Sequence, residues 1–367
     1  MTIVSRPPRA GSLTPLGDGR KPVLVTGGCG FIGSNLAASF LEDGEEVLLF
    51  DNLSRPGVSA NLDWLRRRYG NRVGLIEADV REAGEVERAV ASSRAVFHLA
   101  AQTAVTTSLA DPVADFEINA RGTLNVLEAA RRTGASTPVI FASTNKVYGA
   151  LDDLDLSEGS DAWQPRDGHT RRFGVPADAG IDCCTPYGCS KGVADQYVLD
   201  YAKSFGLPTA VLRMSCVYGP RQFGTEDQGW VAHFLIRALV GEAITVYGDG
   251  KQVRDVLHVS DAVAAYRAAL ASIDTVSGRA FNLGGGPQNA VSLKMVLDEI
   301  ARITGREVPV THEAVRTGDQ RYFVTDIRPI HWQLGWRPRV EWRDGLADLA
   351  AWLKATRVAP ANGQTPA

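Results

Sequence analysis

The chain of 367 residues is longer than one average domain and fits one large domain or two modest ones. Hydrophobic residues at 44% and charged residues at 22% are ordinary globular proportions, which excludes disorder, collagen and coiled coil as whole-chain descriptions. With 39 basic and 42 acidic residues the formal net charge is −3, so nothing draws the chain to a polyanion, and nucleic acid drops out as a partner.

The first 21 residues carry Arg6, Pro7, Pro8 and Arg9 but no apolar run of signal-peptide length, and 1–21 reads as a flexible tail. From 22 onward apolar and amphipathic runs alternate. Strands are predicted at 23–26, 47–50 and 73–76, with helices at 32–42 and 62–69 between them. Further strands fall at 95–99, 139–142 and 209–212, separated by helices at 113–132 and 187–205. This βαβ rhythm implies an α/β fold, a Rossmann-type doubly wound parallel sheet over 22–217. Residues 150–184 interrupt it as a long loop, expected to act as a lid, a binding loop or an interface. The pattern then changes to a smaller α+β lobe over 218–356, some segments of which return to the first domain. Helices are expected there at 230–240, 262–271 and 293–304, and short strands at 244–247 and 280–283. Residues 357–367 read as a second tail.

Five cysteines, at 29, 183, 184, 189 and 216, show no C-x-x-C spacing, which argues against zinc and against a disulfide framework. With no apolar stretch near the roughly 18 residues of a membrane span, the expectation is a reduced, cytoplasmic protein without a membrane partner. Cys183 and Cys184 are too close for an ordinary disulfide, and Cys189 is expected to be packed. His98, inside an apolar strand, and His258 read as structural. The tryptophans at 332, 336, 342 and 352 suggest a well-packed C-terminal segment.

Thr26-Gly27-Gly28-Cys29-Gly30-Phe31-Ile32-Gly33 lies between the first strand and the first helix. A pyrophosphate must approach backbone N–H groups at a helix N-terminus, and glycine leaves the room. Gly27, Gly30 and Gly33 suit the tight turn, the close approach and the helix packing contact. Phe31 and Ile32 open the helix. Asp51 ends the second strand, roughly 20 residues after the last glycine, where a carboxylate accepts hydrogen bonds from an adenine ribose. It repels a 2′-phosphate, which favours NAD over NADP, although Arg55 nearby offers a phosphate partner. Asn52, Asp79, Val80 and the run Leu99, Ala100, Ala101, Gln102 follow strand ends and complete the candidate coenzyme residues.

Tyr187 and Lys191 stand one helical turn apart on one face. A phenol near its usual pKa of about 10 serves as a base at neutral pH only with a cation beside it. Ser143 and Thr144, at the end of the fifth strand, offer hydroxyls in the same crevice.

Together the T-G-G-x-G-F-I-G turn, Asp51-Asn52-Leu53, the S-T-x-x-V-Y-G run at Ser143 to Gly149, the Tyr187/Lys191 pair and Val253-Arg254-Asp255 resemble the extended short-chain dehydrogenase/reductases, the NAD-dependent epimerase/dehydratase family. The wording Ser143-Thr144-Asn145-Lys146-Val147-Tyr148-Gly149 and Asp227-Gln228-Gly229-Trp230 is most similar to the branch that epimerises CDP-linked 3,6-dideoxyhexoses at C2. The resemblance implies that Tyr187 is the acid/base, that Lys191 lowers its pKa and holds the nicotinamide ribose, and that Thr144 bonds the reacting sugar hydroxyl. It implies NAD, tightly bound and recycled, with a nucleotide-diphosphate sugar as substrate. Arg254 and Arg316 would pair with the diphosphate, Arg221 with diphosphate or sugar, and Tyr247 would lie against the base. Asn145, Lys146 and Gln222 join them as substrate-side candidates. The family's 4,6-dehydratases carry an acidic pair where Asn145 and Lys146 stand, so dehydration is disfavoured. A homodimer through helices 113–132 and 187–205 is implied by the same analogy. Two alternatives stay open: a 4-epimerase or other oxidoreductase acting on a UDP or dTDP sugar, and a catalytically idle NAD sensor.

Overall fold

A computed structural model describes residues 20–357. The expected tails 1–21 and 357–367 therefore lie outside the described residues, apart from their inner ends. Seven parallel strands form the central sheet: β1 (Val23–Thr26), β2 (Val47–Asp51), β3 (Val73–Glu77), β4 (Ala95–His98), β5 (Val139–Thr144), β6 (Thr209–Met214) and β7 (Arg279–Leu283). Their order is β7-β6-β5-β4-β1-β2-β3. The order reverses between β1 and β4, and the crevice beyond the carboxyl ends of these two strands is where such sheets take ligands. Register aligns Thr26 with Phe50 on one side and His98 on the other, so the glycine turn leaves the sheet at that point.

The inner strands β1, β2 and β4 are almost wholly apolar because helices cover both faces. Along β1, Val23 and Val25 face one side and Leu24 the other. The first side packs on α1 (Phe31–Glu42) and α2 (Val58–Tyr69) through Leu36, Phe40, Leu62 and Leu65. The second packs on α3 (Ala83–Ala91), α4 (Gly122–Arg132) and α5 (Thr185–Phe205) through Val86, Val90, Val126, Leu127, Ala194 and Val198. Each of the Leu, Val and Phe side chains among them, removed from water, contributes about 1.5–3 kcal/mol.

The second lobe is built on strand Val253–His258, paired with Cys216–Tyr218, Tyr322–Phe323 and Ala290–Ser292, and on the pair Ile244–Tyr247 and Val310–Glu313. Helices α6 (Trp230–Val240), α8 (Leu293–Thr304) and α9 (Trp342–Arg357) surround it, after and before α7 (Val259–Ala271) in the chain. Phe234, Leu235, Val296, Ile300, Trp342 and Leu349 form its core.

Two segments of 218–356 belong to the central assembly, where the sequence had not said which segments return: at 279–283, β7 is the edge strand beside β6, and at 259–271, α7 covers the α1 face with Ala262, Ala265 and Tyr266. A short apolar run does not encode which sheet receives it. The 113–132 helix contains a π turn at Glu117–Arg121, which points Asn119 inward to exchange hydrogen bonds with the Gln102 backbone at 2.9 and 3.0 Å. The long loop 150–184 is folded, with a hairpin Leu156–Glu158/Trp163–Pro165 and a helix Gly168–Phe173. Val175 within it bonds to Val324 and Asp326 of the second lobe at 2.7 and 3.0 Å. No helix among the described residues is long and apolar enough to cross a membrane.

Candidate active site

One cleft of about 830 Å³ runs from the glycine turn to the second lobe. At its first end Gly27 has φ +66°, and a Cβ there would stand 2.8 Å from the Ala100 amide nitrogen. A Cβ on Gly33 would stand 2.2 Å from the Gly27 carbonyl, so this glycine lets α1 sit on the turn. Gly30 begins α1 with no side-chain cap and no acidic residue in the first turn, which leaves the amides of Phe31 and its neighbours facing the cleft. Anionic oxygens suit such a helix end.

Asp51 is buried and braces this cradle: its carboxylate accepts N–H bonds from Cys29 and Leu53, both at 2.9 Å. Burial raises its pKa. Asn52 donates to Asp79 at 2.9 Å, and Asp79 in turn is paired with Arg81 at 2.8 Å, which holds its pKa at about 2. Val80, Leu99, Ala100, Ala101 and Gln102 line the same wall. The sequence reading passed over Thr103 to Thr107, which continue that wall towards Tyr187.

The middle of the cleft is where β5 ends and α5 begins. Thr144 caps the tight turn Asn145–Tyr148, accepting from the Lys146 amide and donating to Asn145 Oδ1, both at 3.2 Å, and it lines the cleft together with Tyr187. Tyr187 is in the first turn of α5, with its amide donating to the Ser108 hydroxyl at 3.1 Å. Below it, Ser190 bonds Asp115, and Asn119 reaches Ser190 at 3.0 Å. Burial pushes the Tyr187 phenol up to about 12. Burial also pushes Lys191 down to about 7. Lys191 stands behind the cleft wall, donating to the Ala142 carbonyl at 2.6 Å and lying 4.1 Å over the Phe141 ring. Burial dominates the phenol, and the Lys191 side chain is held at the Ala142 carbonyl. Ser143 lines the cleft, but its hydroxyl is engaged behind it. Its hydroxyl donates at 2.7 Å to Asp195, which forms a buried two-point pair with Arg213 at 2.8 and 2.9 Å.

In the second lobe Arg254, nearly fully buried, is paired with Asp319 at 2.7 Å, and Lys146 lies 3.7 Å from the same carboxylate. Lys146 also donates to the Gly318 carbonyl at 2.9 Å. Asn145 is tied to Gln320 at 2.8 Å, so its amide faces the 318–320 segment. Arg316 lies 3.7 Å over the Tyr247 ring and is paired with Glu226 and Asp227 at 3.3 and 3.5 Å. Gln222 is buried and donates to the Val217 carbonyl at 3.3 Å, with its Oε1 left without a partner. Arg221 is the exception among the substrate-side candidates. It lines the cleft at φ +75° with its guanidinium stacked on Trp64 at 3.8 Å and Trp352 at 5.7 Å, and no acid among the described residues holds it. Asp319, Glu226 and Gln228 are cleft residues for which the sequence reading had no role.

His98 is a satisfied core histidine, held by Thr26 and Thr123 at 2.7 and 3.0 Å and pushed by burial to about 3. His258 caps α7 and contacts Asp348 at 3.2 Å. Cys189, expected to be packed, is exposed, because the buried face of α5 is set by Tyr187, Ser190, Lys191 and Ala194.

The profile of the NAD dependent epimerase/dehydratase family matches residues 23–284, most of the chain. The chain belongs to that family. CDP-paratose 2-epimerase of Salmonella typhi is 43% identical over 340 residues, covering 91% of this chain and 99% of that protein. A dTDP-glucose 4,6-dehydratase of an Actinoplanes species is 31% identical over 344 residues, covering 91% and 98%. Among solved structures, UDP-glucose 4-epimerase of Thermus thermophilus in complex with NAD has a TM-score of 0.76 at 31% identity, covering 91% of this chain and 99% of that one. UDP-glucuronic acid 4-epimerase of Bacillus cereus, with UDP-glucuronic acid and NAD, has a TM-score of 0.78 at 27% identity, with the same coverage of 91% and 99%. The coenzyme of the family is NAD, and the residues present fit it: a glycine turn that Cβ atoms would fill, an uncapped helix end for the pyrophosphate and an acid, Asp51, where an adenine ribose needs an acceptor.

Proposed function

We propose that this chain, an NAD-dependent nucleotide-sugar epimerase, inverts C2 of a CDP-linked 3,6-dideoxyhexose, the conversion of CDP-paratose to CDP-tyvelose. The observation that carries the chemistry is that Thr144 and Tyr187 line one cleft with the glycine turn, with an amide and an amine, Asn145 and Lys146, at the two positions after Thr144. A dehydratase needs a carboxyl acid and base there, whereas reversible oxidation of a carbinol needs only a proton acceptor beside the hydroxyl. NAD bound in the glycine cradle supplies hydride acceptance and return at that carbon.

The chain's own residues do the rest. Gly27, Gly30, Phe31, Ile32 and Gly33 hold the pyrophosphate and Asp51 the adenine ribose, with Asn52, Asp79, Val80 and Leu99 to Gln102 as the surrounding wall. Tyr187 Oη, in the phenolate form that a cation beside it favours, takes the C2 hydroxyl proton and gives it back to the new alcohol. Thr144 Oγ1 aligns the two oxygens, and Lys191 backs the phenol from behind the wall. Arg254 and Arg316 take the diphosphate, Tyr247 packs on the base, and Lys146 faces the sugar. Inversion requires that the planar keto sugar present its other face before hydrogen is restored. Net redox change is zero, so NAD stays through the cycle.

The five free thiols support a reducing, cytoplasmic setting. Exposed Val113, Phe116, Val193 and Tyr197, on the helices expected to pair, support a homodimer, which sedimentation of the purified chain tests.

The reaction is tested with a panel of CDP, UDP and dTDP sugars supplied without added NAD, products being read by mass spectrometry and NMR. C2 inversion of a CDP sugar, with a C2 deuterium label passing transiently to the bound coenzyme, is expected. Inversion at C4 would replace this reading with a 4-epimerase, and no turnover of any sugar would leave an NAD sensor.

A further inference from the structure

Three cations at the sugar end of the cleft, Lys146 after β5 and Arg254 and Arg316 in the second lobe, are neutralised in two different ways. Lys146 and Arg254 share Asp319, which is also anchored by the Gln320 amide at 3.1 Å. That carboxylate is fixed by the chain around it. Arg316 is neutralised instead by Glu226 and Asp227, whose side chains are 49% and 45% exposed. Both acids occupy the tip of one tight turn, closed by Thr225 and Gln228 exchanging backbone hydrogen bonds at 2.9 and 3.2 Å.

The same turn touches the coenzyme half. The Gln228 side chain accepts a hydrogen bond from the Arg55 guanidinium, which lies in the cleft near Asp51 and Tyr187. The rest of segment 219–229 is seated on that half. Asn35 donates to the Pro220 carbonyl at 3.0 Å and Asn61 to the Arg221 carbonyl at 3.4 Å. A Cβ on Gly57 would meet the Phe223 ring at 2.3 Å, so the two loops are in close contact.

We propose that Glu226 and Asp227 are place-holding counter-ions, positioning residues that keep Arg316 over the Tyr247 ring and yield its guanidinium to the diphosphate of an arriving nucleotide sugar. The inference rests on the reading that the second lobe takes a nucleotide diphosphate. Its physical basis is the difference between the two kinds of pairing. An exposed ion pair contributes little, so exchanging it is easy. A diphosphate matches the guanidinium fork better than two separate carboxylates on a turn, and it brings its own charge to Arg254 as well. Once it is bound, the two carboxylates lie next to like charge and must move off, which swings the turn about its Arg55–Gln228 contact. Arrival of substrate is thereby felt at the coenzyme half through one hydrogen bond. A ligand with a single phosphate replaces the pairing less completely, so the turn also favours diphosphates over smaller anions.

The test is calorimetric titration of the intact, NAD-loaded chain with CDP, with UDP and with inorganic phosphate. The E226Q/D227N double variant is expected to bind the preferred nucleoside diphosphate several-fold, up to about tenfold, more tightly than wild type, with little change for inorganic phosphate. The gain should vanish when Arg316→Ala is added, because the competition is for that guanidinium. Tighter binding is a result that simple loss of a structural contact does not produce. Equal or weaker binding by the double variant overturns the proposal and makes the acids anchors of Arg316. A gain that survives Arg316→Ala overturns it too, in favour of general charge removal. If the wild-type chain binds neither CDP nor UDP, the diphosphate reading of the lobe fails first and takes this inference with it.

Discussion

The two ends of the cleft are built from different materials. At the coenzyme end the contacts are made by the backbone: a turn at φ +66°, an uncapped helix start and positions where a Cβ would collide at 2.2 or 2.8 Å. Its one buried acid, Asp51, spends its charge on bracing the turn. At the sugar end nearly every contact is a charged side chain held by another, as in Arg254 with Asp319 and Arg316 with Glu226. A backbone-built site binds what it binds through geometry that few substitutions can alter without breaking the turn. A site built from ion pairs can be retuned one residue at a time, which is where one fold acquires different sugars.

The largest effect is expected where the two ends meet. Tyr187→Phe removes the proton acceptor and should lower turnover by about 10²–10⁴-fold, while coenzyme content, read by absorbance of nucleotide released on denaturation, stays that of wild type. Undiminished turnover would remove Tyr187 from the chemistry. Next, Gly33→Ala drives a Cβ into the Gly27 carbonyl at 2.2 Å, with backbone on both sides and no flexible atom to yield. We expect a loss of about 1–3 kcal/mol by urea unfolding together with reduced NAD content; full occupancy with an unchanged midpoint would show the cradle to be more pliable than its geometry implies. At the other end, Asp319→Asn frees Arg254 and Lys146 from their shared counter-ion. It should move KM for the sugar nucleotide, by roughly tenfold, and leave NAD content untouched, which sets it apart from Gly33→Ala. A smaller effect is expected of Arg55→Ala, which cuts the turn 225–228 loose from the coenzyme half and should speed NAD release a few-fold in a dilution assay.

The same contrast explains what the sequence disclosed. The glycine turn, Asp51 and the Tyr187/Lys191 spacing are local patterns imposed by backbone needs or by one helix turn, and the elements carrying them occupy the expected stretches. Strands β1, β2, β4, β5 and β6 were legible because burial on both faces demands apolar runs, and the half-exposed edge strand β3 through its place in the alternation. Partners brought from far along the chain left no such mark. Nothing near Arg254 announces Asp319, and nothing near Arg221 announces that a positive φ sends its guanidinium to Trp64. Edge strand β7 has the composition of a second-lobe strand and differs only in the neighbour it finds, Ala210 to Met214. Cys189 shows the same limit on a smaller scale, since which face of α5 is buried depends on the sheet and on α4.

The finest test of the comparison is the stability of the chain as a function of pH. Lys191, in the wall between the two ends, has its ammonium pushed down to about 7 from 10.5 by burial. Between those values the unfolded chain holds a proton that the folded chain has released, so the unfolded state binds more protons and stability rises with pH. Below about 7 the folded state must carry a buried charge, eased only by the Ala142 carbonyl and the Phe141 ring. Tyr187 acts in the opposite sense but in another window: its phenol, pushed up to about 12, keeps its proton longer when folded, so its contribution is lost only above pH 10. Urea unfolding of wild type and Lys191→Met at pH 7, 8 and 9 should therefore show the difference moving steadily in favour of wild type. A difference that does not change with pH would mean that Lys191 keeps its proton in the fold, and that the ammonium, not the amine, stands behind the phenol at neutral pH.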